Sequence, residues 1–440
     1  MKSVEEQVFM RVWAPIQVSF TSWVLREALA SNIHRLYFLA RDAHMSCEIA
    51  KKIVQQEKLS IECRYLEGSR YAWRMAEFSL PESNPIEKIC VGGVHVTLRK
   101  ILKRGGLSDA EAVDVATLLK MENELDEQLT YADTVALKSK LDACNELKRF
   151  IRKHAENAYT NTVNYLIQEG LTDGVPFGIV DSGWVGSLQQ TLGRLVASVT
   201  GAGMENIIQG FYFGLYELPV GVEEKAYHTF YLSPYRDIER KVRFSNCLFE
   251  AVCSAADGMT VGYRWDGKKT IAVYESETNP NRERILENNS LLEHLLATAD
   301  RVEEFALPRE EAVKRLERLM SSPTKEEAAC YGSYLFSDDV SASSLQKVAA
   351  DLDEDEVRNL HILRRLLIMK GILKKTLKDS AWPEGSVVNS GSVPLNGLTL
   401  EDNLGTYAFA TTTLTPLSYV ADTINYYVNG VLQPKPTVTA

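Results

Sequence analysis

The stretch Val175-Pro-Phe-Gly-Ile-Val-Asp-Ser-Gly-Trp-Val-Gly-Ser-Leu-Gln-Gln-Thr-Leu192 constrains this chain more than any other. An apolar run stops at Asp181, glycines follow at Gly183 and Gly186, and Ser187 opens an amphipathic run through Leu188, Leu192 and Leu195. That succession reads as strand, tight loop and helix. In an open parallel sheet such a loop lies at the carboxyl end of its strand, where ligands bind, and the free N–H groups of the helix start favour an anion. The stretch points to a site for a phosphate-like ligand more firmly than to a reaction.

Other segments supply the rest of a parallel sheet. Arg35-Leu-Tyr-Phe-Leu-Ala40 is a short apolar run bounded by charge, expected as a buried strand, and it ends in Arg41-Asp42. Cys47, Ile49, Ala50, Ile53 and Val54 mark the inner side of a helix, and Ile61 to Leu66 the next strand, which runs into Glu67-Gly-Ser-Arg70. This is a strand–helix–strand crossover. Ahead of it, Trp13-Ala-Pro15 opens a helix with Pro15 at the first helical position and with Ile16, Phe20, Trp23, Val24 and Ala28 on one apolar face. Residues 207–216 and 227–232 read as further strands, and Gly258 and Gly262 as tight turns.

The remainder is helical, with a change at the end. Between about 85 and 170 the pattern is helical, with a capping box at Ser108-x-x-Glu111 and a last helix from Lys138 to Glu169. Long amphipathic stretches recur near Arg282–Phe305 and Glu356–Leu377. No lysine or arginine lies between Lys378 and Lys435, and Asn429-Gly430 favours a type I′ hairpin. The expected architecture is α/β with a mainly parallel, Rossmann-like sheet. Residues 1–84 and 171–275 form the core, 85–170 a helical insert, 276–380 a helical region, 381–395 a linker and 396–440 a β-rich tail.

Composition removes several function classes. With 59 acidic against 49 basic residues the formal charge is −10, and no basic stripe with interleaved aromatics marks a nucleic-acid surface. The seven cysteines are scattered and never form a C-x-x-C pair, so neither a zinc site nor a disulfide framework is expected. No secretory leader is evident, and no apolar run reaches the roughly 18 residues of a membrane span. The expectation is a cytoplasmic protein.

The candidate chemistry gathers at the strand ends. Gly183 and Gly186 let backbone approach a ligand, Ser187 can cap the helix and donate to a phosphate oxygen, and Asp181 can bind a metal, a ribose hydroxyl or a proton. Asp42 and Asp181, delivered to one edge of the sheet, could together hold a magnesium ion or act as base and orienting group. Ser69 and Arg70 could clamp a phosphate, with Arg41 adding charge. Each has a plainer reading: a strand-to-helix turn at Asp181, an ion pair of Arg41 closing its strand, a surface salt bridge at Arg70. His44 could shuttle a proton, and Glu250 could face the same edge. Asp351 to Asp355 is not a calcium loop, because Glu356 stands where glycine is needed and Ile362 where glutamate is needed. Cys247 and Cys253 read as core thiols.

Taken together, Leu36-Tyr-Phe-Leu-Ala-Arg-Asp42, Tyr65-Leu-Glu-Gly-Ser-Arg70, Asp181 to Gln189, and Leu248-Phe-Glu250 with Gly258 and Gly262-Tyr263 carry a resemblance. Over approximately residues 10 to 270 the chain resembles the region that follows the hydrolase domain in bacterial HAD-superfamily hydrolases of surface-polysaccharide clusters. The resemblance implies binding and processing of a phosphorylated sugar or nucleotide, as glycan precursor, by hydrolysis or phosphotransfer, with glycan-biosynthesis proteins as partners. It departs from the pattern in two places: Ala43 replaces a common glycine, and Asp42-Ala-His-Met-Ser46 has histidine where the nucleophile motif Asp-x-Asp-x-Thr has its second aspartate. A non-catalytic recognition or scaffold domain is the alternative. The layout of Asp181 to Ser187 is also similar to the phosphate loop of type I phosphoribosyltransferases, with Ser182 in place of their second acid. Tyr427 to Gln433 resembles part of a small β module of Gram-positive surface or spore-associated proteins.

Overall fold

The computed structural model describes residues 2–91, 96–129, 131–201, 208–234, 236–237, 240–241, 244–276, 278–336, 345–359 and 380–391, with the short strands 426–428 and 431–433. Five strands form one fully parallel sheet: β1 (Arg35–Leu39), β2 (Glu62–Leu66), β3 (Phe177–Trp184), β4 (Gln209–Leu215) and β5 (Tyr227–Leu232). Their order is β2-β1-β3-β4-β5, one of the two common doubly wound arrangements.

The alternation of side chains explains why both faces are covered. Leu36, Phe38, Val180, Phe211, Phe213 and Phe230 point into one apolar core, beneath the helices Ala14–Ala30 and His44–Glu57. Tyr37, Leu39, Phe177, Ile179, Tyr212 and Leu215 point into the other, beneath the helices Arg70–Glu77, Asn145–Gln168 and Ser187–Thr200. Strands that are apolar on both sides need helices on both sides. The result is the α/β, Rossmann-like architecture expected from the sequence.

The first helix starts earlier than Pro15. Val4–Val8 is helical, Phe9–Trp13 continues as a π-helical turn, and Ala14–Ala30 follows with Pro15 in its first turn. Gln17, Thr21 and Ser22 are buried along with Ile16, Phe20 and Val24. The single apolar face read from the sequence undercounts this burial, because the helix Arg309–Ser321 covers its outer side.

The insert has a core of its own, built from Ile101, Leu102, Val115, Leu141, Leu147 and Ile151. Its capping box at Ser108 and Glu111 forms as expected. The helix expected from Lys138 to Glu169 is instead two, Tyr131–Ala143 and Asn145–Gln168, separated at Cys144. The second belongs to both cores: Leu147, Phe150 and Ile151 serve the insert, and Tyr165 and Leu166 serve the sheet.

An antiparallel hairpin, β6 (Thr260–Trp265) and β7 (Thr270–Tyr274), stands where the sequence suggested only turns. Its Tyr263 hydroxyl accepts from Trp73 Nε1 at 2.7 Å and donates to the Glu67 carbonyl at 2.9 Å, which fixes it over the sheet edge. Towards the end of the chain, the α-helix expected to reach Phe305 stops at Thr298. Of the stretch Glu356–Leu377, residues 360–377 lie outside the described residues. The expected linker contains a helix, Pro383–Asn389, anchored by a fully buried Trp382 whose Nε1 donates to the Met320 carbonyl. In the tail, Tyr426–Val428 and Val431–Gln433 pair antiparallel, while Asn429-Gly430 and the rest of 396–440 lie outside the described residues. None of the seven cysteines is in a disulfide. Among the described residues no helix is long and apolar enough to cross a membrane.

Insert and core are tied by one buried charge. Glu77, 1% exposed, accepts from Lys88 Nζ, Arg194 Nη1 and Thr191 Oγ1. Burial would raise its pKa, but Lys88 and Arg194 outweigh burial and hold the carboxyl below its ordinary value of 4.5. A depressed folded-state pKa gives stability that is present above that ordinary value and lost as pH falls through the folded one. Glu77→Ala is expected to cost about 3–5 kcal/mol at neutral pH in urea denaturation, because it strands two cations. The deficit should shrink as the pH drops below 4.5.

Candidate functional site

The order of strands reverses between β1 and β3, so their carboxyl ends open side by side at the switch point of the sheet. This brings Asp42 and the end of β3 together. The Ser182 hydroxyl donates to Asp42 Oδ2 at 2.7 Å, bridging the two strand ends. The Ala40–Arg41 peptide bond between β1 and Asp42 is cis.

β3 does not stop at Asp181. Asp181 pairs with Tyr212, and the strand continues to Trp184 opposite Leu215. Gly183 makes this continuation feasible: its φ is +117°, and a Cβ there would lie 2.1 Å from the Gly214 carbonyl oxygen. Gly186, at φ +68°, turns the chain into the following helix with the Tyr227 ring 2.8 Å from where a Cβ would stand. Both glycines therefore have a packing reason that needs no ligand. Ser187 is the first helical residue and not the cap, which corrects the sequence expectation; Gly186 is the cap, and no side chain bonds the helix start. The first N–H groups of Ser187–Thr200 thus lack an intrahelical partner and a side-chain acceptor.

Trp184 was not among the residues singled out from the sequence. It sits at φ +83°, rare for a bulky residue and costing about 1–3 kcal/mol. Its ring packs on Phe244 at 5.1 Å, Tyr216 at 5.7 Å and Phe249 at 5.9 Å, and its Nε1 donates to Glu250. A tryptophan set between two glycines at a strand end is the signal that could have flagged it. The same hydrogen bond brings Glu250, on the helix Asn246–Cys253, to the edge.

Three acids therefore converge, and burial acts on each. It pushes the Asp181 carboxyl up to about 7, helped by the charge of Asp42 and opposed by the N–H groups of Ser182 and Gly183 and by Arg70. It pushes Glu250 up to about 8, again helped by Asp42 and opposed by Trp184, Arg70 and Arg41. Asp42 is raised by burial against the pull of Ser182, Arg41 and Arg70. Like charges this close resist ionising together, so the group holds protons near neutral pH.

The arginines are differently placed from their plainer readings. Arg41 is half-buried and Arg70 exposed, and among the described residues neither has a carboxylate at ion-pair distance. Arg41 does not close its strand with an ion pair, and Arg70 is not in a salt bridge. Ser69, by contrast, is used by the fold: its hydroxyl accepts from Ala72 N at 3.0 Å and donates its one hydrogen to the Thr260 carbonyl at 2.6 Å. The expected phosphate clamp thus loses Ser69, because a hydroxyl with its proton committed has none for a phosphate. His44 begins the helix His44–Glu57 with its ring edge-on to Tyr65 at 5.4 Å, and burial lowers its pKa. Cys253 accepts from Gln17 Nε2 at 3.1 Å and burial pushes its thiol up, in keeping with a core role. Among the described residues no three His, Cys, Asp or Glu side chains are grouped so as to hold a metal ion.

No known protein family and no curated protein matches the sequence of this chain.

The raised Asp181 value has a measurable sign. Its folded pKa of about 7 exceeds the ordinary 3.8, so ionisation opposes folding: the penalty is absent below the ordinary value, grows above it and is complete above about 7. Asp181→Asn cannot ionise. In urea denaturation it should gain on the wild type as pH rises, by up to about 4 kcal/mol on the alkaline side. A constant difference across that range would show that Asp181 is ionised throughout.

Proposed function

We propose that this edge of the sheet binds the phosphate of a phosphorylated sugar or nucleotide, and that its acids process the bound molecule by hydrolysis or phosphotransfer. The observation that supports the reading best is an unmatched charge. Among the described residues Arg41 and Arg70 have no carboxylate at ion-pair distance, while burial raises the pKa of each of the three acids beside them. Two cations beside acids whose ionisation burial opposes form a site complementary to an anion.

The residues divide the work. Arg41 and Arg70 neutralise the phosphate, and the uncapped N–H groups at Ser187 donate to its oxygens. Asp181, poised near neutrality, gives or takes the proton, and Asp42, held by Ser182, orients the reacting group. Asp42 and Asp181 are the side chains that would hold a magnesium ion, and no step in this reading passes through a metal. Surface-polysaccharide metabolism is the setting that the resemblance implies. The missing nucleophile motif favours a second reading, a recognition or scaffold domain that turns nothing over.

Thermal melts against sugar phosphates, nucleotide sugars and phosphoribosyl pyrophosphate, with and without magnesium, test the first reading. A ligand at about 100 times its Kd adds about 2.7 kcal/mol. Arg70→Ala, at an exposed position with no ion pair among the described residues, should leave ligand-free stability within about 0.5 kcal/mol yet lose most of that shift. Asp181→Asn should abolish turnover of the stabilising class. An undiminished shift in Arg70→Ala would place the ligand elsewhere, and no shift with any probe would favour the scaffold.

A further inference from the structure

A second place on the molecule combines room with unmatched charge. On the β4–β5 flank, two strands from the switch point, a surface cavity of about 400 Å³ opens between the end of β5 and the start of the helix Arg309–Ser321. That volume is in the range of small-molecule sites. Tyr227, Thr229, Arg236, Arg240 and Arg309 line it, together with Asp237 and Glu310.

The charges there are not evenly satisfied. Arg240 donates to the Tyr231 carbonyl at 2.8 Å and holds Glu310 at 3.3 Å, Asp237 at 3.6 Å and Glu317 at 3.7 Å. Asp237 also accepts the Ser233 N–H at 3.0 Å. The lining acids nearest Arg240 are therefore committed to it. Arg236 and Arg309 have no carboxylate at ion-pair distance among the described residues. The Arg309 guanidinium lies 5.3 Å from the Phe230 ring centre, and burial, reinforced by the charge of Arg240 and opposed by Asp237 and Glu310, lowers its pKa. A partly desolvated cation that shares its neighbouring acids with another cation gains from a further anion. Of the three lining acids, Asp237 and Glu310 are shared between Arg240 and Arg309, and the third is the exposed Glu224.

From this we infer that the cavity is a second anion site, separate from the switch-point edge, in which Arg236 and Arg309 take the phosphate group of a small polar metabolite. The Tyr227 and Thr229 hydroxyls, on the wall formed by β5, supply hydrogen bonds to its uncharged part. Arginine suits this task because its planar fork matches the oxygens of a phosphate.

The test titrates the full chain with inorganic phosphate by calorimetry, using Arg70→Ala as the parent so that the switch-point edge is disabled. The parent is expected to bind phosphate. Adding Arg309→Ala or Arg236→Ala should weaken that binding at least about tenfold, the worth of one charged hydrogen bond. Arg309→Lys should restore part of it. Near-UV circular dichroism checks that each variant keeps its fold, as expected where no ion pair among the described residues is lost. A parent that binds no phosphate at millimolar concentration, or an Arg309→Ala titration that superimposes on the parent, overturns the inference. Failure of the switch-point reading would appear separately, as wild type and Arg70→Ala binding phosphate alike.

Discussion

The position of β3 governs this structure. It is the middle strand, paired with β1 on one edge and β4 on the other, and both of its faces lie in apolar cores. A strand so enclosed has no water to offer a polar side chain along its length, so polar groups collect where it leaves the sheet. Asp181 and Ser182, both buried, follow Val180, the last residue of β3 paired with β1. Because β1 is parallel to it, Asp42 arrives at the same place, and the Ser182–Asp42 hydrogen bond is the local result. The glycines that follow are equally a product of enclosure, since the backbone of β4 approaches too closely for a Cβ at position 183.

Crowding acids into such a place reverses the usual charge balance of a surface. In water each carboxylate would be ionised and would pair with a neighbouring arginine. At this edge, desolvation raises all three carboxyls, the charge of Asp42 raises Asp181 and Glu250 further, and among the described residues neither arginine has a carboxylate at ion-pair distance. The left-handed backbone of Trp184 is a further local cost, offset by three ring contacts and the hydrogen bond to Glu250. These costs fall on a few adjacent residues, while the helices around them are well packed.

Much of this fold was legible in the sequence, for a physical reason. Unbroken apolar runs such as Leu36 to Leu39 suit a buried parallel strand, and their polar ends mark the carboxyl edge of the sheet. That logic located Arg41, Asp42, Arg70 and Asp181. It did not reveal which hydroxyls were free, because Ser69 is occupied by Thr260, almost two hundred residues away along the chain. Nor did it reveal Trp184, whose meaning depends on a backbone angle and on a distant glutamate. The hairpin of β6 and β7 was missed for a similar reason: its partly buried, partly exposed strands show weak alternation, and its placement depends on Trp73 and Gln168. Short-range patterns reach strand ends well, whereas partners chosen by tertiary contact leave no periodic trace.

The split sheet also bears on how the chain is made. β1 can pair with β2 soon after synthesis, but its other edge waits for β3, where Arg35 meets Phe177. The whole helical insert emerges from the ribosome in between. At bacterial or eukaryotic elongation rates that leaves an apolar strand edge open for on the order of ten seconds. An open edge of this kind invites pairing with other nascent chains. The insert, built from local helical contacts, folds fast enough to be complete before β3 appears, so it can shield the growing chain during the wait.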